Sequence, residues 1–412
     1  MEKGKLAAQL FFSKEAAEYL GITVQRLNKL VQEGKVIPLK KNSSGTIFHI
    51  DELNRRKEEV EIFTKVGYRG EEAMFVFDTK EKQEALNYAT LMNVLNYTEH
   101  KLEPLFEKFS QTNNVSIPID ALEISKKYVE FFKVDSSKLF DEYYKAQKAF
   151  SLLRDTDEII KRGSQDYPVL LQQTEQAPRF LYIRGKKSLL HEKRTVALVG
   201  SRQATDKAKE NTRRLAEALG KNGITVVSGL AKGIDVTAHK AALNHGFNTI
   251  AVIGTNLNQY YPKENKSVQQ EIEKKGLVIS QFSPASKTQR WFFPLRNGVM
   301  SGLSLATVIM EAGETSGALK QADFALKQGR QILIPESALN MPQIKWPAKY
   351  VKKGAKVVNT PIDVLRILAD NNIFRLENGE ALVQQTLMDY FNKPASNSNK
   401  EVEWIDPVIA EE

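Results

Sequence analysis

The stretch TVALVGSR (195–202) is a β-prone apolar run that stops on a glycine, and the same construction returns in ITVVSGLAKG (224–233) and NTIAVIGTN (248–256). These runs are apolar almost throughout rather than alternating, the pattern of a strand covered on both faces. Working outward, the sequence predicts further strands at 277–282 (LVISQF), 305–312 (LATVIMEA), 331–335 (QILIP) and 355–359 (AKVVN), with amphipathic helices in 207–223, 235–246, 263–276 and 316–330. Strands alternating with helices form a parallel sheet. The expected fold is therefore α/β, a Rossmann-like doubly wound, mostly parallel sheet whose ligand lies at the carboxyl ends of the strands.

Three strand-end loops carry the chemistry: Gly200-Ser201-Arg202, Gly229 to Gly233 with Lys232, and Gly254-Thr255. A glycine at a strand end lets the backbone turn without a Cβ in the way. Outward amides and the positive end of the next helix then favour a phosphate, and Arg202 and Lys232 add charge. Neither G-x-G-x-x-G nor G-x-x-x-x-G-K-[ST] occurs, which disfavours NAD and ordinary P-loop chemistry.

Charge points the same way. The 412 residues hold 59 Lys+Arg and 50 Asp+Glu, a net +9, but residues 179–350 alone hold 26 basic and 12 acidic side chains, a net +14. That excess suits a polyanion. There is no cysteine, which removes disulfides, thiol nucleophiles and cysteine metal sites. The five histidines (49, 100, 191, 239, 245) show no ligand spacing, so neither metal nor cofactor is expected. No apolar run is long enough to span a membrane, and Met1-Glu2-Lys3-Gly4-Lys5 leads into no signal-like stretch, so the expected location is the cytoplasm.

Residues 1–65 read as two short helices, SKEAAEYLG capped by Ser13 and TVQRLNKLVQEG capped by Thr23, followed by a β-hairpin around Asn42-Ser43-Ser44-Gly45. The pattern resembles the winged helix-turn-helix of the MerR and excisionase type. That resemblance implies a duplex-DNA contact through Arg26, Lys29, Lys35, Lys40 and Lys41. Residues 71–160 read as an acidic helical linker domain, with Tyr143, Tyr144 and Phe150 in its core.

From 166 to 368 the resemblance is to the DprA family, also called Smf. It is carried by DYPVLLQQTEQAPRFLYIRG (166–185), VGSR (199–202), SGLAKGIDVTAHKAAL (228–243), TIAVIGTNLNQYYPKEN (249–265), FFPLRNGVMSGLS (292–304), VIMEAGETSGALKQADFALKQGR (308–330) and KKGAKVV (352–358). It implies an extended Rossmann fold that binds single-stranded DNA, commonly as a homodimer, and in some members hands the strand to RecA. Carried over position by position, the binding residues are Gly200, Ser201, Arg202, Gly229, Lys232, Gly233, Arg296 and Asn297, beside Gly254 and Thr255 of the third loop. Glu311 is a candidate base or ribose contact. Trp291, Phe292 and Phe293 stand beside Arg296 as stacking candidates, the phenylalanines also reading as core.

Departures from the family pattern include Ser280-Gln281, Arg296-Asn297-Gly298, Ser316 to Ala322, Ile334-Pro335-Glu336 and Lys345-Trp346-Pro347. They point to a specialised paralogue, and toxin or phage-defence partners are one alternative setting. The enzymatic alternative is a nucleotide sensor or N-glycosidic hydrolase of the LOG-like kind. Asp235 and His239 share a helix face as an acid–base candidate; alternatively Asp235 accepts local amides while His239 packs beneath. The expectation is a non-enzymatic DNA-binding protein. Residues 369–412 form a C-terminal extension, expected to be disordered from 393.

Overall fold

The computed structural model describes residues 10–32, 36–42, 45–54, 56 and 77–370. Lys35 and the extension beyond Asp370 lie outside the described residues. The chain divides into two compact units: one up to Asp155 together with Ser283–Ser286, the other comprising the remainder from Thr156.

The first unit opens with β1 (Leu10–Phe12), α1 (Ser13–Tyr19), α2 (Val24–Gln32), β2 (Lys40–Asn42) and β3 (Gly45–His49). β3 lies between β1 and β2 and is antiparallel to both. The alternation of a strand turns Phe48 inward, onto Ala16, Ala17, Leu27, Leu30, Val36 and Leu53. Each fully buried Leu or Phe contributes about 1.5–3 kcal/mol here. Ser13 is the first helical residue rather than the cap; Glu15 Oε2 instead accepts from Phe12 N–H at 2.8 Å. Thr23 does cap α2, its hydroxyl accepting from Arg26 N–H at 3.2 Å.

Four further helices follow: α3 (Lys80–Leu95), α4 (Glu99–Ser110), α5 (Leu122–Phe132) and α6 (Ser136–Phe150). Residues Gln83 to Leu91 of α3 are all buried, so α3 is the axis of the cluster. Its buried polar groups are satisfied: Asn87 Nδ2 donates to the carbonyls of Val115 (2.8 Å) and Ile117 (2.7 Å). Tyr143, Tyr144 and Phe150 are buried.

The second unit runs β4 (Glu158–Lys161), α7 (Val169–Gln172), β5 (Phe180–Gly185), β6 (Thr195–Gly200), α8 (Asp206–Lys221), β7 (Thr225–Ser228), α9 (Ile234–Asn244), β8 (Thr249–Val252), α10 (Lys266–Lys275), β9 (Leu277–Ser280), α11 (Phe292–Gly302), β10 (Ala306–Glu311), α12 (Gly317–Lys327), β11 (Gln331–Pro335), α13 (Glu336–Leu339), α14 (Trp346–Lys352), β12 (Lys356–Val358) and α15 (Pro361–Asp370). The sheet order is β12-β11-β10-β6-β7-β8-β9-β5-β4. β6 to β12 are parallel, while β5 is antiparallel to both β9 and β4. This added pair, absent from the sequence reading, starts the unit ahead of residue 166.

Alternation along the strands feeds two apolar layers. Val226, Val308 and Leu333 pack on one face, and Val227, Ile309, Ile332 and Ile334 on the other. The chain leaves β6 toward β7, β8 and β9, then returns to β10 on β6's other side. The switch point therefore falls between the ends of β6 and β10, where Gly200 is registered with Glu311. Ligands of such sheets bind there.

Candidate nucleic-acid interface

The first loop is closed by β10. Ser201 N–H donates to the Glu311 carbonyl at 2.7 Å. The Glu311 carboxylate accepts from Thr205 N–H at 3.1 Å and from the Thr205 hydroxyl at 2.6 Å. Thr205 caps α8, so Glu311 already places a negative charge at that helix's positive end. Ser201 Oγ accepts from Gln203 N–H at 3.1 Å.

The second loop is built on the same plan. Asp235, in the first turn of α9, is 5 % exposed and accepts from Ala231 N–H at 3.4 Å. Burial pushes its carboxyl up, against the opposing pull of Arg296 and of the Ala231 and Gly229 amides. In both loops, amides that sequence reasoning offers to a phosphate are taken by acceptors of the chain itself, the Glu311 carbonyl and carboxylate in the first and the Asp235 carboxylate in the second. The local-acceptor reading of Asp235 is the geometry observed.

The glycines serve close packing of one loop on another. A Cβ at Gly200 would strike Ile234 and the Glu311 carbonyl, at Gly229 the Arg296 guanidinium, and at Gly254 the Phe293 ring. Gly233 combines φ +74° with contact against the Ser201 carbonyl, so a side chain is excluded twice over.

Arg296 turns inward from α11. Arg296 is 5 % exposed, and its guanidinium donates to the carbonyls of Gly229 and Val252, tying the second loop to the end of β8. Burial lowers its pKa to about 10, with Asp235 opposing. Asn297 accepts from Arg296 Nε at 3.1 Å and donates to the Gly317 carbonyl at 3.2 Å. Both residues position the loops rather than face solvent. Thr255 is likewise buried, its hydroxyl donating to the Gln259 carbonyl at 3.2 Å.

Arg202 and Lys232 are exposed; Lys232 forms an ion pair with Glu264. Phe292 is buried and stacked on Phe282, Phe293 packs on Tyr261, and Trp291 remains 44 % exposed. His239 is fully buried with Nδ1 2.8 Å from Thr249 Oγ1, and burial pulls its pKa down to about 3. It forms no acid–base couple with Asp235, because the carboxylate faces the loop amides and Arg296. Among the described residues no grouping of His, Asp and Glu could hold a metal ion, and no helix is long and apolar enough to cross a membrane.

In the first unit the α2 cations are engaged within the chain. Arg26 Nε lies 3.6 Å from Asp120 Oδ2, and both Arg26 and Lys29 sit over the Tyr144 ring. Lys40 and Lys41 on β2 are exposed.

The family model for DNA recombination-mediator protein A matches residues 158–369, from β4 through α15. The chain belongs to this family. The DNA processing protein DprA of Streptococcus pneumoniae is 33% identical over 288 residues, 69% of this chain and 95% of that protein. Its Bacillus subtilis counterpart is 33% identical over 214 residues, 52% of this chain and 72% of that protein. Among solved structures, the X-ray structure of DprA from Streptococcus pneumoniae aligns with a TM-score of 0.57 at 27% identity, covering 71% of this chain and 98% of that one. Sequence reasoning missed Leu230, held at φ 60° with its carbonyl accepting from Asn265 Nδ2 at 2.9 Å. No local signal marks that strain, since Asn265 lies 35 residues away.

Proposed function

We propose that the second unit binds single-stranded DNA at the carboxyl ends of β6 and β7, in a DNA-processing and recombination role, with Arg202 and Lys232 meeting the phosphates. The observation that carries this reading is the division of labour at the switch point. Arg296, Asp235 and Glu311 are spent on holding the loops, while Arg202 and Lys232 project from those same loops into solvent. Exposed cations on a rigid rim follow a sugar-phosphate backbone without reading sequence. A phosphate at Lys232 would compete with Glu264 for the ammonium.

The N-terminal module supports a duplex contact through Lys40 and Lys41 better than through Arg26 and Lys29, which are engaged by Asp120 and Tyr144. The test is a fluorescence-anisotropy titration of single-stranded and duplex oligonucleotides over a salt series. Changing Arg202 and Lys232 together to Ala should lower the single-strand salt slope by about 1.4, at about 0.7 per phosphate lost. Glu311→Gln, which removes a negative charge from the rim, should strengthen single-strand binding. Salt-independent binding, or binding indifferent to Arg202 and Lys232, would sink the proposal.

A further inference from the structure

Helix α14 and its flanks carry Lys345, Lys349, Lys352, Lys353 and Lys356, five lysines in twelve residues with no carboxylate between them. All five are exposed, and among the described residues none takes part in an ion pair. The spacing 345, 349, 352, 353 keeps four of them on one side of the helix.

The adjoining face is anchored, and Lys353 borders it, its ammonium 5.5 Å from the centroid of the Tyr350 ring. Trp346, Pro347 and Tyr350 are buried. Trp346 Nε1 donates to the Ala312 carbonyl at 2.8 Å, and the Tyr350 hydroxyl donates to Asp323 Oδ1 at 2.8 Å. Glu314 Oε2 accepts from Lys345 N–H at 2.8 Å. The two carboxylates that pack here, Glu314 and Asp323, are thus occupied in holding α14 and reduce the lysine charge without pairing with it.

This anchoring fixes where the lysines lie. Ala312 and Glu314 directly follow β10, whose last residue, Glu311, closes the first loop. Lys356 opens the edge strand β12 level with Leu333 in the middle of β11, three strands out from β6. The lysines therefore start beside the switch-point rim and lead away from it. Lys345 to Lys353 spans roughly 12 Å at helical rise.

We propose that this lysine face is a second phosphodiester-binding track, which takes the continuation of a nucleic-acid strand beyond the rim. The inference rests on the single-strand reading of Arg202 and Lys232. Lysine suits it, because a mobile point charge follows a backbone without demanding a fixed geometry.

The experiment compares the full chain with its Lys349→Gln/Lys352→Gln/Lys353→Gln variant on two oligothymidylates, one of about 8 and one of about 40 nucleotides, below and above a single site. The track predicts that the variant loses about tenfold or more in affinity for the long strand and about 2 in its salt slope, with the short strand unchanged. Equal long-strand affinity and slope in the two proteins would overturn it, while a lowered salt slope in Arg202→Ala/Lys232→Ala would leave the rim reading standing. Absence of binding by the unmodified chain to either strand would instead remove the underlying reading, and the track with it. Glutamine preserves helix propensity at exposed positions, and coincident melting curves establish that the variant is folded.

Discussion

The ammonium of Lys29 lies 3.9 Å from the centroid of the Tyr144 ring, so the second helix of the N-terminal module spends its charge on the helical cluster of its own unit. Arg26 stands 5.0 Å from the same centroid and beside Asp120. Backbone contacts follow the same seam, with Thr23 N–H donating to the Asp120 carbonyl at 3.2 Å.

Replacing Tyr144 by Leu keeps the apolar bulk and removes the π face. The expected loss is about 1 kcal/mol, with faster hydrogen exchange across Val24–Gln32. Unchanged exchange in that helix would show that the ring does not hold it.

Arg296 and Asp235 stabilise each other inside the second unit. Arg296→Met should cost about 3–5 kcal/mol, because it strands a buried carboxylate and frees two carbonyls. The double variant Arg296→Met/Asp235→Asn should recover part of that loss in a denaturant melt. Additive losses would mean the two side chains act independently.

His239 sets a pH dependence. Its folded pKa, about 3, lies below the ordinary value of 6.5. A depressed base is neutral when folded and takes up a proton on unfolding, so its contribution is fully present above about pH 6.5 and fades as pH falls toward 3. The full swing is of order 5 kcal/mol. His239→Gln should be less stable at neutral pH yet lose less stability between pH 6.5 and 4 than the unmodified chain. Parallel stability curves over that range would contradict the assignment.

Much of the second unit was legible without coordinates. Strands β6 and β11 begin and end at the residues expected, and β7 to β10 and β12 fall within the expected runs. A strand covered on both faces must be apolar in consecutive positions, and the glycines where three of those strands end mark where the backbone turns. The β4–β5 pair was missed because its residues sit in a stretch dominated by turn and proline signals, and its pairing depends on β9, nearly a hundred residues on.

The site was legible in its location but not in its roles. Residue spacing alone determined an α/β sheet with glycine loops at its carboxyl ends and a surplus of positive charge, since periodicity and charge are local properties of the chain. Only the tertiary structure decided that Glu311 and Asp235 occupy the loop amides, that Arg296 is a tether, that Arg202 and Lys232 stay exposed, and that Arg26 and Lys29 dock on Asp120 and Tyr144. Those outcomes join groups from 44 to over a hundred residues apart, except where Asp235 folds back on its own loop. Whether a cation faces solvent or a carbonyl depends on which distant backbone the fold delivers beside it.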